Sequence, residues 1–430
     1  MTIKSTIYKD SALGKIPVDW EVRTLGELGT FAKGKGILKE QVALVGLPCI
    51  RYGEIYTTYD FIIKDFKSFI GEDVSKESKE VKSGDILFAG SGETADEIGK
   101  AVAYIGNEKA YAGGDIIILS TKKEVYVECL SYALETDIAK KQKRVLGQGN
   151  SVVHIYPSDL VKIKILLPPL PEQKAIAHVL GLMDSAINTS NQLIAKKELR
   201  KKWLMQQLLA GKKRLPAFSN STSGKNGIIA DWREFSMSDI FKRLTRKNIE
   251  NNTNVVTISA QRGFVRQEDF FNKLVASDII DNYFLVEKGE FCYNKSYSNG
   301  YPWGATKRLT DFDKAVVTTL YICFALKDNQ ENSGDFFEHF FEANLLDRGL
   351  TKIAHEGGRA HGLLNVTPSD FFGLLIFIPP LEEQIAIAKV LQMADKEIQI
   401  LKSKAEKLKE QKKGLMQVLL TGKKRLINIL

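Results

Sequence analysis

The sequence predicts an α+β protein: two mixed α/β domains separated by two long helices that pair as an antiparallel coiled coil, the whole forming a pseudo-twofold internal repeat. Three observations predict it. Residues 166–215 align without a gap to 377–426, and 25 of the 50 aligned positions are identical, far beyond chance and the mark of a duplicated unit. Both copies carry apolar residues at alternating four- and three-residue steps, the spacing of a coiled-coil seam. The stretch before each copy breaks into short β-branched and aromatic runs divided by glycine clusters, which reads as strands and tight turns.

Along the chain, Ile16-Pro17-Val18-Asp19-Trp20 opens the first variable block and is echoed, one residue out of register, by Ile228-Ile229-Ala230-Asp231-Trp232. Residues 85–89 (Asp-Ile-Leu-Phe-Ala) and 115–119 (Asp-Ile-Ile-Ile-Leu) read as strands, with turns at Gly90-Ser91-Gly92 and Gly113-Gly114. The step Gly84-Asp85-Ile86 has a counterpart in Gly289-Glu290-Phe291. Pro157-Ser158-Asp159 predicts a turn with a helix cap and recurs as Pro368-Ser369-Asp370. In the second block residues 318–324 predict a strand, residues 336–346 a helix, and Gly357-Gly358 a turn.

Each block ends in a near-constant segment. In the first, the seam comprises Ile176, Leu180, Met183, Ile187, Ser190, Ile194, Lys197, Lys201, Leu204 and Leu208. In the second it comprises Ile387, Leu391, Ala394, Ile398, Leu401, Ala405, Leu408, Lys412, Leu415 and Leu419. Proline suits the helix start, and Glu172, Glu382 and Glu383 complement its positive end. Gly211 and Gly422 are suited to follow the last turn, and the Lys-Lys-Arg clusters after them suit the negative end. Some 40 residues at 1.5 Å each make a rod of roughly 60 Å. Two one-sided seams of this length predict pairing with each other, antiparallel because a whole domain intervenes.

Composition bounds the rest. A chain of 430 residues with 44% hydrophobic and 26% charged residues is that of a globular protein, and its length predicts about two to four domains. No run approaches the ~18 apolar residues of a membrane span, and no apolar stretch follows the start. The four cysteines, Cys49, Cys129, Cys292 and Cys323, lie far apart, as buried thiols do in a reducing compartment, so a cytoplasmic location is expected. The net charge is +9. Residues 171–215 carry +6 (nine basic, three acidic) and residues 381–426 carry +5 (eleven basic, six acidic), so the remainder sums to −2. Any nucleic-acid surface on the variable blocks is therefore a local patch.

Loops that mix cations, aromatics and amides are the candidates for such patches, because these groups read phosphates and base edges. In the first block they are Lys33 and Lys35 around Gly34, Arg51 with Tyr52, and Gln148 with Asn150. In the second they are Asn294, Lys295 and Tyr297, running on to Trp303 and Lys307, and then Arg359 with His361. Catalytic chemistry is not legible. Neither Pro-Pro pair follows Asn or Asp, as an adenine methyltransferase would require. No phosphate-cradling Gly-x-x-x-x-Gly-Lys-Ser/Thr loop is present. Pro157-Ser158-Asp159 with Lys162 lacks the second carboxylate of a nuclease site. No metal ligand set and no catalytic residue is assigned.

A variable block, then Pro-Pro-Leu-x-Glu-Gln opening a long helix (Pro168 to Gln173, and Pro379 to Gln384), all written twice, resembles the specificity subunits of Type I restriction–modification systems. The run Gly14 to Glu21 resembles that family's usual opening. The resemblance implies two target-recognition domains, residues 1–170 and 228–380, each reading half of a bipartite site in double-stranded DNA. It implies conserved helices at 171–212 and 381–426 that set the gap and dock two methyltransferase (modification) subunits, with a linker at 213–227. It further implies restriction (motor-nuclease) subunits, with S-adenosylmethionine, ATP and Mg2+ held by partners and no cofactor on this chain. Two other classes stay open from the residues alone: a coiled-coil scaffold that binds only proteins, and a fused restriction–modification enzyme.

Overall fold

In a computed structural model the described residues are 7–149, 152–219, 231–271, 280, 282–356 and 363–426. The chain divides into two compact units, Met1–Asn191 with Lys404–Leu430, and Gln192–Ser403.

The first unit is built on a five-stranded mixed sheet, in the order Gly29–Lys33, Ile116–Thr121, Asp85–Ala89, Ala101–Tyr104 and Ile62–Ile63. Its central strands are buried on both faces, and the two-residue side-chain period sorts them between two cores. Ile86, Phe88, Ile117 and Leu119 face one core, and Leu87, Ala89, Ile116 and Ile118 face the other. A four-stranded sheet, Ser68–Ile70, Leu47–Ile50, Ala110–Ala112 and Lys79–Val81, is interleaved with it along the sequence. The helices Val127–Ala133 and Asp137–Leu146 follow. Strand Lys164–Leu167 then pairs antiparallel with Glu21–Thr24 and delivers the chain to the long helix Leu170–Leu208.

The second unit repeats the scheme. Its sheet runs Phe241–Leu244, Ile322–Leu326, Phe291–Asn294 and Ala305–Arg308, entirely antiparallel, matching the first four strands of the other sheet in order. One face packs an aromatic core in which Phe241, Phe291, Phe324, Phe337 and Phe341 meet edge to face or stacked, arrangements that add to area burial alone. Strand Arg233–Ser236 pairs with Leu375–Ile378, and the latter leads into the helix Leu381–Leu419.

Each unit thus contains the start of one long helix and the end of the other. In the first, Ile176 and Leu180 share a core with Leu415, Leu419 and Leu420. In the second, Leu204, Met205 and Leu208 share one with Ile387, Ala388 and Leu391. The pairing is antiparallel in both, as the α+β reading with two long helices requires.

The structure refines the local expectations. The strand expected from Thr318 begins only at Ile322, because Tyr321 closes a turn onto Thr318 and spends its hydroxyl on Thr257 (3.0 Å). The helix expected to reach Leu346 ends at Glu342, since Asn344 takes a left-handed conformation (φ 57°) that stops it. Asp370 sits at the third helical position, its backbone N–H donating to the Thr367 hydroxyl, so Thr367 is the cap. All four cysteines are free and buried. Burial pushes the Cys49 and Cys129 thiols up to about 12, so they stay protonated apolar groups. No helix among the described residues is long and apolar enough to cross a membrane.

Candidate nucleic-acid interface and the helix clasps

The first unit gathers several candidate readers at one end of its sheet. Lys33 closes the edge strand, exposed, with its ammonium 5.7 Å from the centre of the Tyr156 ring. Gly34 follows because a Cβ there would stand 2.0 Å from the Gly113 carbonyl oxygen, and only glycine lets the strand end pass so close. Beyond it the exposed Lys35 is anchored by its backbone N–H to the Ala112 carbonyl (3.2 Å). Gln148 is exposed and pairs both backbone groups with His154 (2.8 Å each). Strand Val153–His154 in turn pairs with Ser91–Gly92 just past the central strand, and the Ser91 hydroxyl lies 3.0 Å from His154 Nδ1. Tyr52 is exposed, whereas Arg51 is half-buried and its guanidinium is held by Glu54 (3.2 Å). Asn150 lies outside the described residues.

The second unit places Asn294, Lys295 and Tyr297 at the corresponding strand end, while Lys307 lies toward the other end of the sheet, across from Cys292. Asn294 ends the strand matching Asp85–Ala89, and its amide bridges the Ile258 carbonyl (3.3 Å) and the Ser296 N–H (3.1 Å). Lys295 is half-buried, and desolvation holds its ammonium below the usual lysine range. Its carbonyl accepts from Leu364 N (2.9 Å), in the strand Leu364–Asn365 that comes after Arg359 and His361 in the sequence. Those two residues lie outside the described ones. Tyr297 is 66% exposed. Trp303 packs against the aromatic core, and its carbonyl accepts the Tyr293 hydroxyl (2.6 Å). Lys307 is turned inward, ion-paired to Glu342 and 4.8 Å over the Tyr301 ring. Arg308 beside it is held by Asp335 (2.5 Å). Exposed and inward-turned cations look alike in sequence; only the partner acids, far along the chain, separate them.

The seam residues lie on the covered sides of the helices. Ile176, Leu180, Ile187, Ile194, Leu208, Ile387, Leu391, Ile398 and Leu419 are buried, while Met183, Leu204, Leu401, Leu408 and Leu415 are half-buried.

The geometry also gives the Pro-Pro-Leu-x-Glu-Gln segments a physical role. Glu172, 4% exposed, accepts from Trp20 Nε1 (2.9 Å) and from Arg425 (2.8 Å), while Arg425 also grips Asp19 (2.6 Å). In the second unit Glu383, 1% exposed, accepts from Trp232 Nε1 (3.1 Å) and Arg214 (2.7 Å), and Arg214 also meets Asp231 (3.3 Å). The glutamines fasten the corner. Gln173 bonds the Pro168 carbonyl (2.9 Å) and Tyr126 N (2.8 Å); Gln384 bonds the Pro379 carbonyl (2.9 Å) and Ser333 N (2.9 Å). The arginine of each Lys-Lys-Arg cluster, expected to serve the end of its own helix, therefore closes a clasp on the start of the other. The Arg425 guanidinium holds the Asp19 carboxyl below its ordinary range, and the Glu383 carboxylate raises Arg214 further. Sequence reading missed this, although the paired Asp-Trp dipeptides and the invariant Glu and Arg of the repeat were its signal.

Among the described residues no group of three or more His, Cys, Asp or Glu side chains is arranged to hold a metal ion.

Comparison with known proteins agrees with this duplicated architecture. The family model described as the Type I restriction modification DNA specificity domain matches twice, over residues 17–198 and 229–410. The chain is 28% identical to a putative type I restriction enzyme MjaX specificity subunit of Methanocaldococcus jannaschii, over 98% of this chain and 97% of that protein. It is 22% identical to the type I restriction enzyme EcoKI specificity subunit of Escherichia coli K12, over 87% of this chain and 82% of that one. In fold it resembles the crystal structure of a Type-I restriction-modification system S subunit from M. genitalium, with TM-score 0.55 at 14% identity, covering 98% of each chain.

Proposed function

The chain belongs to the Type I restriction modification DNA specificity family, and on that premise we propose that it chooses the DNA site of a restriction–modification complex and leaves the bond chemistry to partner subunits. The observation that carries this reading is the duplication: the specificity model matches once per variable block, and each block is clasped to the helices in the same way. Each recognition domain, 1–170 and 228–380, reads one half of a bipartite duplex site. The halves differ in sequence because the strand-end loops differ. Lys33, Lys35, Tyr52, Gln148 and Asn150 serve the first half, and Asn294, Lys295, Tyr297, Arg359 and His361 the second. Arg51, Trp303 and Lys307 shape those loops from within.

The long helices set the gap between halves. They also dock two modification subunits, which bring S-adenosylmethionine and methylate adenine. Restriction subunits would add ATP- and Mg2+-dependent cleavage. Two readers on one face of B-DNA are best placed about one helical turn apart, ~34–36 Å, a distance a rigid helical spacer can hold. The reaction takes place where the complex meets DNA, in the cytoplasm.

The test is to mix the chain with its modification subunit and map methylated adenines on genomic DNA. A split motif that appears only with both proteins supports the reading. Methylation by the partner alone, unchanged on adding this chain, would leave a protein-binding scaffold. Methylation by this chain alone would reveal a fused enzyme.

A further inference from the structure

An apolar seam cannot by itself fix how two helices align, because Leu and Ile recurring every seven residues fit nearly as well after a slip of one heptad. Polar groups within or beside the seam break that degeneracy, since a slip leaves them facing the wrong neighbour. The repeat contains two such groups in identical positions of both copies: Asp184 with Asp395, and Lys201 with Lys412. In the first unit Lys412 bonds Asp184 (2.5 Å), and in the second Lys201 bonds Asp395 (2.5 Å). The residue numbers of the two pairs have the same sum, so each pair independently assigns the same antiparallel register.

Their surroundings show why these contacts are exacting. The Lys412 side chain is 7% exposed, and its ammonium stands 3.6 Å from the centre of the Phe61 ring. Asp184 also accepts the Tyr132 hydroxyl (2.7 Å). In the second unit His339 Nδ1 stands 4.0 Å from Asp395. Each aspartate therefore joins its own helix, the opposing helix and the adjacent recognition domain. A heptad slip in one direction would set Asp184 against Leu419, Asp395 against Leu208 and Lys201 against Lys402. A slip in the other would set the four charges against Ala405, Ile194, Ala388 and Ala177. Either leaves a desolvated charge without a partner, and breaking a buried pair in that way is strongly destabilising.

We infer that the Asp184–Lys412 and Asp395–Lys201 pairs are positioning residues: they select one register of the helix pair and, resting on the gap-setting role proposed above, one gap between the DNA half-sites.

The test separates these two layers. Cysteines at Ala177 and Leu419, which share a core across the helices, report the native register by oxidative cross-linking without reference to DNA. Replacing both pairs with apolar residues (Asp184→Leu, Lys412→Met, Asp395→Leu, Lys201→Met) should keep the chain folded, as such replacements commonly do. The native cross-link should fall at least about twofold, with new cross-links appearing at heptad-shifted cysteines. Reversing the second pair (K201D/D395K) in the otherwise native chain should keep the native cross-link, whereas K201D alone should lose it. In the methylation map the apolar variant should broaden the gap while keeping both half-sequences. An apolar variant with only the native cross-link at native yield would overturn the register inference, even if the chain reads a split site. A shifted register with an unchanged single gap would overturn its link to the DNA.

Discussion

At their helix ends the two units differ by little more than numbering. Trp20, Glu172, Arg425 and Asp19 recur as Trp232, Glu383, Arg214 and Asp231, bonded in the same pattern. At their strand ends they share topology and little else. The first presents the exposed Lys33 and Lys35, with Lys33 beside Tyr156, whereas the second exposes Tyr297 there and, toward the other end of its sheet, turns Lys307 and Arg308 inward onto acids. The same scaffold is thus kept where it fastens helices and differs at the loops proposed to read DNA, as expected if binding loops are carried on a rigid frame.

The comparison can be broken most forcefully at the clasps. Glu172→Ala strips the partner from a buried Trp20 N–H and from Arg425, so a loss of roughly 3–5 kcal/mol is expected. Glu383→Ala should cost a similar amount, and urea unfolding of both variants measures the two. A large inequality would mean that the clasps are equivalent in pattern but not in weight. Next in size is Tyr132→Phe, which removes a hydroxyl bonded to the Asp184 carboxylate (2.7 Å). Hydrogen bonds to charged groups contribute about 1.5–3 kcal/mol, and the same unfolding experiment should show a loss in that range.

At the strand ends the expected effects are smaller and fall on DNA. Lys33→Ala and Lys35→Ala should each weaken duplex binding and lower the slope of log affinity against log salt by about one. Lys307→Ala should leave that slope unchanged and lower stability, because its partner is Glu342. An unchanged slope in the first two variants would remove those lysines from the interface.

The smallest effect distinguishes the two aspartate nodes. His339 stands at Asp395 where Tyr132 stands at Asp184, and burial, followed by the nearby Lys201 charge, holds its imidazole below the ordinary 6.5. The unfolded chain therefore binds more protons in that window, so this contribution is present above 6.5 and is lost as pH falls through the depressed folded value. His339→Tyr should flatten the fall in stability between pH 7 and 5; an unaltered pH profile would show that the histidine binds its proton alike in the folded and unfolded chain.

Much of the frame was legible in the residues. The duplication follows from ungapped identity, the seams from a period of seven, and the strands around Ile86 and Ile117 from apolar runs bounded by glycines, which burial on both faces imposes directly. The clasps were not, because Glu172 meets Arg425 across 253 positions and an Arg after a glycine reads locally as a helix terminus. The inward turn of Lys307 was hidden for the same reason: Glu342 lies on a helix that only the tertiary fold brings near. Local stops such as Asn344 depend on a backbone angle that several residues could adopt. The candidate readers were found by residue type alone, which marks loops able to touch DNA without separating Lys33 from Lys307.

The most direct test of the central claim, one half-site per domain, is to map methylated adenines with the modification subunit and two chains altered in one domain each. One carries Lys33→Ala, Lys35→Ala and Gln148→Ala; the other carries Asn294→Ala and Tyr297→Ala. The account predicts that each chain relaxes one half of the split motif, a different half in each case, and keeps the other half and the gap. Loss of specificity in both halves from changes in a single domain, or an undivided motif in the native chain, would contradict it.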